Sequence, residues 1–226
     1  MKKKPEFENF SKFTRRQVIA KHLVKYELFK EILNIKGSIV ECGVHEGGGL
    51  FSWAHFSTIL EPYNYHRKII GFDTFQGFKQ IHKKDKSNPK AKVGKFKEKY
   101  NTFKDIQRHI NNFDQNRFLN NKIKIELVKG LAEKTIPKYL NNNKHLIVSL
   151  LYIDFDLYKP AEIALKKIIP LMPKGSIVAF DEVNNPHWPG ETQALLKSFK
   201  LNNHKLKCLS WEPNISYIVI GSKKNN

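Results

Sequence analysis

Short apolar runs that alternate with segments of helical periodicity constrain the fold of this chain most. The run at 146–153 is apolar on both faces, which is typical of a central strand in a parallel sheet covered on both sides. The other runs predict further strands and a C-terminal antiparallel hairpin, at 38–44, 68–72, 122–128, 176–180, 205–211 and 216–220. The tripeptide Glu212-Pro213-Asn214 is the predicted turn of that hairpin.

Segments with helical periodicity lie between these strands. The first covers 11–36, with Ser11 or Thr14 as its predicted N-cap, and its apolar face is expected to pack on the sheet or on a partner, which leaves a homo-oligomer open. The others lie at 50–60, 103–113, 135–140, 160–172 and 191–200. Because strands that alternate with helices are joined by right-handed crossovers, residues 1–226 are predicted to form one α/β domain with a doubly wound sheet.

Composition excludes several classes of protein. Hydrophobic residues make up 40% of the chain, which is enough for a core and excludes a wholly disordered chain. Cys42 and Cys208 are the only cysteines, so neither a disulfide framework nor a zinc spacing is present. The apolar runs are far shorter than the ~20 residues of a membrane span. No signal peptide follows the first lysines, and a reducing, cytoplasmic setting is expected.

The positive charge of the chain is unevenly distributed. The formal net charge is +19, and 79–104 holds ten lysines against only Asp85 and Glu98. We therefore predict that 79–119 is an exposed, lid-like basic insertion. The charge favours anionic partners, including a phosphorylated or acidic acceptor, while a compositional bias towards Lys, Asn and Ile is the alternative.

The residues that end the predicted strands carry most of the functional information. Acids and glycines recur there, as Glu41-Cys42-Gly43, Asp73, Gly130, Asp154 and Asp181-Glu182. Ligands of doubly wound sheets bind beyond the carboxyl ends of the strands, so these positions predict a ligand site.

The segment 41–49, ECGVHEGGG, joins the first strand to the next helix. Its glycines allow positive φ and close approach of backbone N–H groups to a ligand, and the following helix offers unpaired N–H donors. The spacing is neither that of the dinucleotide fingerprint nor that of a phosphate loop. Glu41 favours a cationic ligand group, and Asp73 is typical of an acid that binds ribose hydroxyls. A structural turn and a helix cap are the respective alternatives.

Three carboxylates are predicted to meet where the fourth and fifth strands end. Asp154, Asp181 and Glu182 would repel one another unless a cation or protons compensate their charge. Carboxylate oxygens suit a hard cation such as Mg²⁺. The alternative is that these acids cap helices or pair with lysines.

The motifs at 41–49 and 71–78, GFDTFQGF, resemble those of class I S-adenosylmethionine-dependent methyltransferases, and most closely those of the macrocin O-methyltransferase family, which methylates sugar hydroxyls. The segment 125–137 is similar to the adenine-binding loop of catechol O-methyltransferase-like enzymes. The resemblance implies a Rossmann-like methyltransferase fold, with a seven-stranded, mostly parallel sheet and a reversed C-terminal strand.

The resemblance also implies which residues bind S-adenosylmethionine. In chain order they are Glu41 near the ammonium, Gly43 and Gly47 at the methionine part, Asp73 at the ribose, and Ala132 and Glu133 beside the adenine. Metal-dependent relatives hold their cation with an Asp after the fourth strand and two residues after the fifth. Asp154, Asp181 and Glu182 match that pattern, except that Glu182 is one methylene longer.

The general base is the least constrained part of the predicted site. Catechol-type relatives have a lysine three positions after the first metal-binding Asp, and Leu157 stands there. Asp156 shares a strand face with Asp154 and is the first candidate for the base or for an alternative metal ligand. His187, in a loop stiffened by prolines, is the second candidate, and Lys159 is a weaker one.

The resulting hypothesis is a Mg²⁺-dependent O-methyltransferase that acts on a sugar hydroxyl. The acceptor would be a nucleotide sugar, a natural product or a surface polysaccharide precursor. A nucleic-acid methyltransferase is an alternative based on charge alone, and the aromatic motif beside Asn/Asp-Pro-Pro that is typical of base methyltransferases is absent. A non-catalytic binding protein with the same fold is the third reading, although it would not need so costly an acidic cluster.

Overall fold

The computed structural model describes residues 9–86 and 88–221. Its strands are β1 (Ser38–Cys42), β2 (Ile69–Asp73), β3 (Ile125–Lys129), β4 (Val148–Ile153), β5 (Ile177–Phe180), β6 (Lys207–Leu209) and β7 (Glu212–Val219). They form a seven-stranded sheet in the order β3-β2-β1-β4-β5-β7-β6. β7 runs antiparallel to both of its neighbours, while β1 to β5 pair in parallel. The doubly wound sheet with a reversed C-terminal strand is therefore confirmed.

Helices cover both faces of this sheet. They are α1 (Phe10–Phe13), α2 (Arg16–Glu31), α3 (Gly48–Leu60), α4 (Thr102–Gln115), α5 (Ala132–Asn142), α6 (Tyr158–Ile168) and α7 (Pro189–Ser198). One face packs against α2, α3 and α4 around Trp53 and Tyr152. The other face packs against α5, α6 and α7 around Phe72 and Phe180. Among the described residues, no helix has the length and apolarity that crossing a membrane requires.

Two predicted boundaries are corrected by the structure. The predicted helix at 11–36 is broken at Thr14, which ends α1, and α2 begins after Arg15 without a side-chain cap. The predicted turn at Glu212-Pro213-Asn214 lies inside β7, because Leu209 pairs with Glu212 and the reversal occurs one step earlier. Within the predicted helix at 160–172, Pro170 ends the regular helix, since α6 stops at Ile168 and a short 3₁₀ turn follows.

Hydrogen bonds close the basic insertion into a loop and attach it to the rest of the fold. Phe78 and Lys95 are joined by a backbone hydrogen bond of 3.0 Å, which closes the intervening segment into a loop. Inside that loop Asp85 is buried, and its Oδ1 accepts a hydrogen bond of 2.9 Å from the N–H of Tyr158 at the start of α6. The segment is therefore exposed along its lysines but held by its one buried acid.

Candidate active site

A cavity of about 350 Å³ lies at the carboxyl ends of β1, β2, β4 and β5. The predicted residues on its wall are Gly43, Asp73, Ala132, Glu133, Asp154, Asp156, Asp181 and Glu182. The structure therefore brings the predicted glycine loop and the predicted acids to one cavity.

The first glycine of the loop is required by the close approach of β1 to the end of β4. Gly43 has φ +96°, and a Cβ added there would lie 1.8 Å from the carbonyl oxygen of Asp154. A side chain at position 43 would therefore push the glycine loop away from Asp154, the residue that follows β4.

The carboxylate of Asp73 organises the loop as well as facing the cavity. Its Oδ2 accepts hydrogen bonds from the N–H groups of Val44 and His45 at 2.8 and 2.9 Å, and its Oδ1 accepts one from Phe75 at 2.6 Å. Carboxylate oxygens have further lone pairs, so ribose hydroxyls remain compatible with this arrangement.

The N-terminus of α5 forms the opposite wall of the cavity. Ala132 and Glu133 are in its first turn, a few residues earlier than the predicted helix start at 135. Glu133 Oε1 accepts a hydrogen bond of 3.1 Å from Gln80, whereas its Oε2 is buried without a protein partner. A buried acceptor without a partner beside a cavity is what a ligand amino group would satisfy.

Two residues predicted for the donor site lie outside the cavity wall. Glu41 is only 2% exposed, because strand alternation turns it towards α2 and the underside of Gly49 rather than towards the cavity. Burial raises its pKa to about 8, although Lys25 opposes that shift. Gly47 has φ +90° and lies at the start of α3, where it faces Ile106. Glu41 therefore lies beneath the glycine loop, and its placement near a cofactor ammonium stays a prediction.

The acids that follow β4 and β5 share the cavity but are not equivalent. Burial, followed by the charges of Asp181 and Asp156, raises the pKa of Asp154 well above its ordinary value. Burial, followed by Glu182 and Asp181, raises the pKa of Asp156 to about 7. An acid with such a pKa exchanges protons near neutral pH, as a general base must.

Asp181 is held by basic and phenolic groups from two elements. Its Oδ2 accepts a hydrogen bond of 2.6 Å from Lys21 of α2, and its Oδ1 accepts one of 2.7 Å from the Tyr152 hydroxyl. Lys25, one turn after Lys21, donates to that hydroxyl at 3.2 Å. Although burial opposes the shift, the two lysines hold the pKa of Asp181 below its ordinary value.

The carboxylates have the chemistry of Mg²⁺ ligands, but the structure does not gather them around one point. Asp154, Asp181 and Glu182 offer carboxylate oxygens from adjacent strand ends, which are the ligands that Mg²⁺ prefers. Over residues 9–86 and 88–221, however, no three His, Cys, Asp or Glu side chains are gathered as in a metal site. Asp181 faces Lys21, and Glu182 accepts a hydrogen bond from Asn185. The predicted convergence on one point is therefore replaced by a shared cavity in which Lys21 supplies positive charge.

Glu191, in the first turn of α7, joins the two acidic loops. Its Oε1 accepts hydrogen bonds from the N–H groups of Phe155 and Asp156, at 2.9 and 3.0 Å. Its Oε2 accepts one of 3.2 Å from the N–H of Glu182. Burial, followed by the surrounding aspartates, raises its pKa well above the ordinary value.

Aromatic rings form the outer wall of the cavity. Phe78, Phe96 and Trp188 line it, and the Trp188 ring lies 6.0 Å from each of the two phenylalanine rings. His187, the second predicted base, has an exposed side chain and is not on the wall, because the turn at 185–188 directs its neighbour Trp188 inwards. The neighbouring ring rather than the imidazole therefore faces the site.

Backbone strain is concentrated around the same cavity. In the part of the chain that the structure describes, six non-glycine residues have positive φ, and four of them, His45, Phe75, Phe96 and Asp156, line the cavity. Such conformations cost free energy and cluster at functional sites.

A larger hollow of about 750 Å³ lies at the amino ends of the strands. Its buried guanidinium, Arg67, is fully engaged by Glu61 and by carbonyl oxygens that include those of Ile32 and Gly37. Because this hollow contains neither the glycine loop nor the acidic cluster, it does not compete as the catalytic cavity.

Three charged groups in or behind the cavity wall were not predicted from the sequence. Lys21 and Lys25 belong to a helix that was assigned only a packing role, although their spacing of four residues places both on one helix face. Glu191 carries no motif. The signal that was available for it is an acid in the first turn of a helix that follows directly after the acidic loop.

The comparisons with known proteins agree with this geometry. A family model described as macrocin-O-methyltransferase (TylF) matches residues 23–209. The chain is similar to the crystal structure of CalS11, a calicheamicin methyltransferase, at 34% identity and a TM-score of 0.94, over 98% of this chain and 87% of that one. The apo structure of CalS11, described as a TDP-rhamnose 3'-O-methyltransferase, is 32% identical, with a TM-score of 0.82 over 96% and 86% of the two chains.

A more distant structure supports the fold alone. The O-methyltransferase NovP is 15% identical, with a TM-score of 0.67 over 88% of this chain and 78% of that one. The sequence has no significant match among curated proteins.

Proposed function

This chain belongs to the macrocin O-methyltransferase family and is an O-methyltransferase, and from that premise we propose that it methylates a sugar hydroxyl with S-adenosylmethionine as donor. The observation that carries the proposal is the cavity in which the glycine loop, Asp73 and Glu133 adjoin the acids of β4 and β5. Membership of this family of enzymes argues against the hypothesis of a non-catalytic binding protein.

The donor is assigned to the part of the cavity between Gly43 and Glu133. The backbone around Gly43 would contact the methionine part, Asp73 the ribose, and Ala132 with the unpartnered Oε2 of Glu133 the adenine. Gly47 and Glu41 shape this region from behind, since Gly47 is the N-cap of α3 and Glu41 lies beneath the loop.

The acceptor is assigned to the part of the cavity between the acids and the aromatic wall. We propose a nucleotide sugar, a natural product or a polysaccharide precursor, and we favour an anionic one. Lys79 of the basic insertion lines the cavity, and the similar protein CalS11 is described as acting on TDP-rhamnose. Trp188 and Phe96 would contact the apolar face of a sugar ring. The nucleic-acid alternative has no support beyond net charge.

The reaction forms an O–C bond to the acceptor as the C–S bond of the donor breaks. Asp156 is the proposed base, and it receives the hydroxyl proton, for which its raised pKa near neutrality suits it. The donor's positive charge is lost with the methyl group, leaving a neutral thioether. The surrounding walls supply the alignment of oxygen, methyl carbon and sulfur.

Mg²⁺ is proposed as a further component. Asp154, Asp181 and Glu182 would hold it, and a bound cation would lower the pKa of the acceptor hydroxyl. In the structure Lys21 donates to one oxygen of Asp181, so the cation would compete with this ammonium.

Calorimetric titration with S-adenosylmethionine and with S-adenosylhomocysteine tests the donor assignment. We expect saturable binding, together with thermal stabilisation of the protein. The absence of both at millimolar ligand would contradict the proposal.

Replacement of Asp154 or Asp181 by Ala tests the acid assignment, with TDP-rhamnose and other nucleotide sugars as acceptors. We expect turnover to be lost while the affinity for S-adenosylhomocysteine changes by less than about three-fold, since these acids act on the acceptor. Full activity after dialysis against EDTA would contradict the metal assignment and leave the methyltransferase assignment intact.

A further inference from the structure

Lys21 occupies the position at the acidic cluster that a divalent cation would need. Its Nζ lies 2.6 Å from Asp181 Oδ2, and its side chain forms part of the cavity wall. Asp181 itself is buried, and its other oxygen already accepts the Tyr152 hydroxyl at 2.7 Å. Both oxygens of this proposed ligand are therefore engaged by the protein.

Lys21 and Lys25 of α2 differ in their exposure. The side chain of Lys21 is 45% exposed, so it can swing into solvent while α2 stays in place. Lys25 is only 6% exposed and lies over the Tyr152 ring, with 4.3 Å between Nζ and the ring centroid. Lys21 is thus the exposed counterion, and Lys25 is the buried one.

We propose that Lys21 is an internal competitor for the divalent-cation site and sets the affinity of that site for metal. This inference rests on the proposed metal site. Each Asp181 oxygen keeps further lone pairs, but an ammonium on Oδ2 repels a divalent cation at contact distance and so weakens metal binding there. Breaking the Lys21–Asp181 ion pair therefore favours metal binding, and the lysine compensates the charge of Asp181 when metal is absent.

A titration with Mn²⁺, monitored by electron paramagnetic resonance, measures this competition without turnover. Lys21→Met is expected to bind Mn²⁺ roughly ten-fold or more tightly than the wild type, because a like charge and a rival donor are removed. Lys21→Arg keeps the positive charge and should stay near the wild-type affinity. Lys167→Met removes an exposed lysine of α6 and is the matched control for net charge.

A second measurement uses the wild-type protein alone. The rate at which an amine-reactive reagent labels Lys21, determined by mass spectrometry, should rise when Mn²⁺ is added, because the ammonium is released from Asp181. The labelling rate of Lys167 should not change. This readout does not depend on whether the Lys21→Met variant folds.

The outcomes separate the competition from the wider function. Equal or weaker Mn²⁺ binding by Lys21→Met, or unchanged Lys21 labelling, would overturn the competition. Absence of Mn²⁺ binding in every variant would overturn both the competition and the metal site. Binding of S-adenosylhomocysteine in that same sample would show that the methyltransferase assignment still stands.

Discussion

Glu191 accepts a hydrogen bond from the backbone N–H of Asp156, so a side chain of α7 fixes the loop that carries the proposed base. The same carboxyl group also binds the N–H of Glu182 from the neighbouring strand end. The relative position of the two acidic loops therefore depends on one buried side chain.

Replacement of Glu191 by Ala should lower both stability and turnover. Three backbone N–H groups would lose their acceptor, and each one left buried without a partner costs about 1–3 kcal/mol. Urea denaturation measures the loss, and S-adenosylhomocysteine titration shows whether the donor half survives. Glu191→Gln keeps one carbonyl oxygen and should fall between Ala and wild type. An active, fully stable Ala variant would show that the loops hold their position unaided.

A methyl group at Gly43 should separate β1 from the end of β4. The added Cβ would lie 1.8 Å from the Asp154 carbonyl oxygen, and overpacking of this kind costs about 1–3 kcal/mol. We expect Gly43→Ala to lose stability in thermal unfolding and to lose turnover through displacement of Asp154. Gly48→Ala is the control, because nothing lies within 4 Å of the added Cβ and helix position 48 favours alanine. Equal behaviour of the two variants would contradict the steric account.

Glu41 should make the protein less stable as the pH rises. Its pKa is about 8 in the folded protein against an ordinary value of 4.5, so between these values the folded state binds the proton and the unfolded state does not. The free energy of unfolding therefore falls through this range, by at most about 1.4 kcal/mol per pH unit for one proton. Below pH 4.5 the contribution of Glu41 is constant.

Glu41→Gln should flatten that pH dependence, measured by urea denaturation between pH 5 and pH 8. Glu31→Gln, at the exposed end of α2, removes the same charge without burial and is the control. Parallel curves for wild type and Glu41→Gln would show that the carboxyl group is ionised in the folded protein across the whole range.

Asp85 should determine how firmly the basic insertion is seated. Asp85→Ala leaves the buried N–H of Tyr158 without its acceptor, which costs about 1–3 kcal/mol. We expect faster tryptic cleavage at the lysines of 83–92 under native conditions, since the loop opens more often. Asp105→Ala, which removes a partly exposed acid paired with Arg108, should not change the cleavage rate. Unchanged cleavage in Asp85→Ala would place the anchor elsewhere.

The predictable parts of the fold are those that depend on local patterns in the sequence. The apolar run of β4 and the acids at Asp73, Asp154 and Asp181 each follow from strand periodicity and strand ends, which the chain specifies within a few residues. The side on which Glu41 points was also readable, since Ile39 and Glu41 share one strand face.

The parts that were not predictable depend on contacts between distant residues. The pairing of Lys21 with Asp181 spans 160 positions, and a lysine on a helix gives no local sign of its partner. Asp85 is one acid among many lysines, and only the packing of the insertion against α6 buries it. Whether His187 or Trp188 faces the cavity is decided by a turn in which Asn185 Oδ1 accepts a hydrogen bond from the N–H of His187.

The left-handed conformations at His45, Phe75, Phe96 and Asp156 carry a consequence for engineering. Substitution by glycine at any of them would relieve backbone strain, so a search for thermostable variants guided by backbone energies would select these positions early. Each such substitution would also change the wall of the cavity in which donor and acceptor are proposed to bind. A more heat-resistant enzyme of this kind is therefore better sought at the amino ends of the strands, away from this cavity.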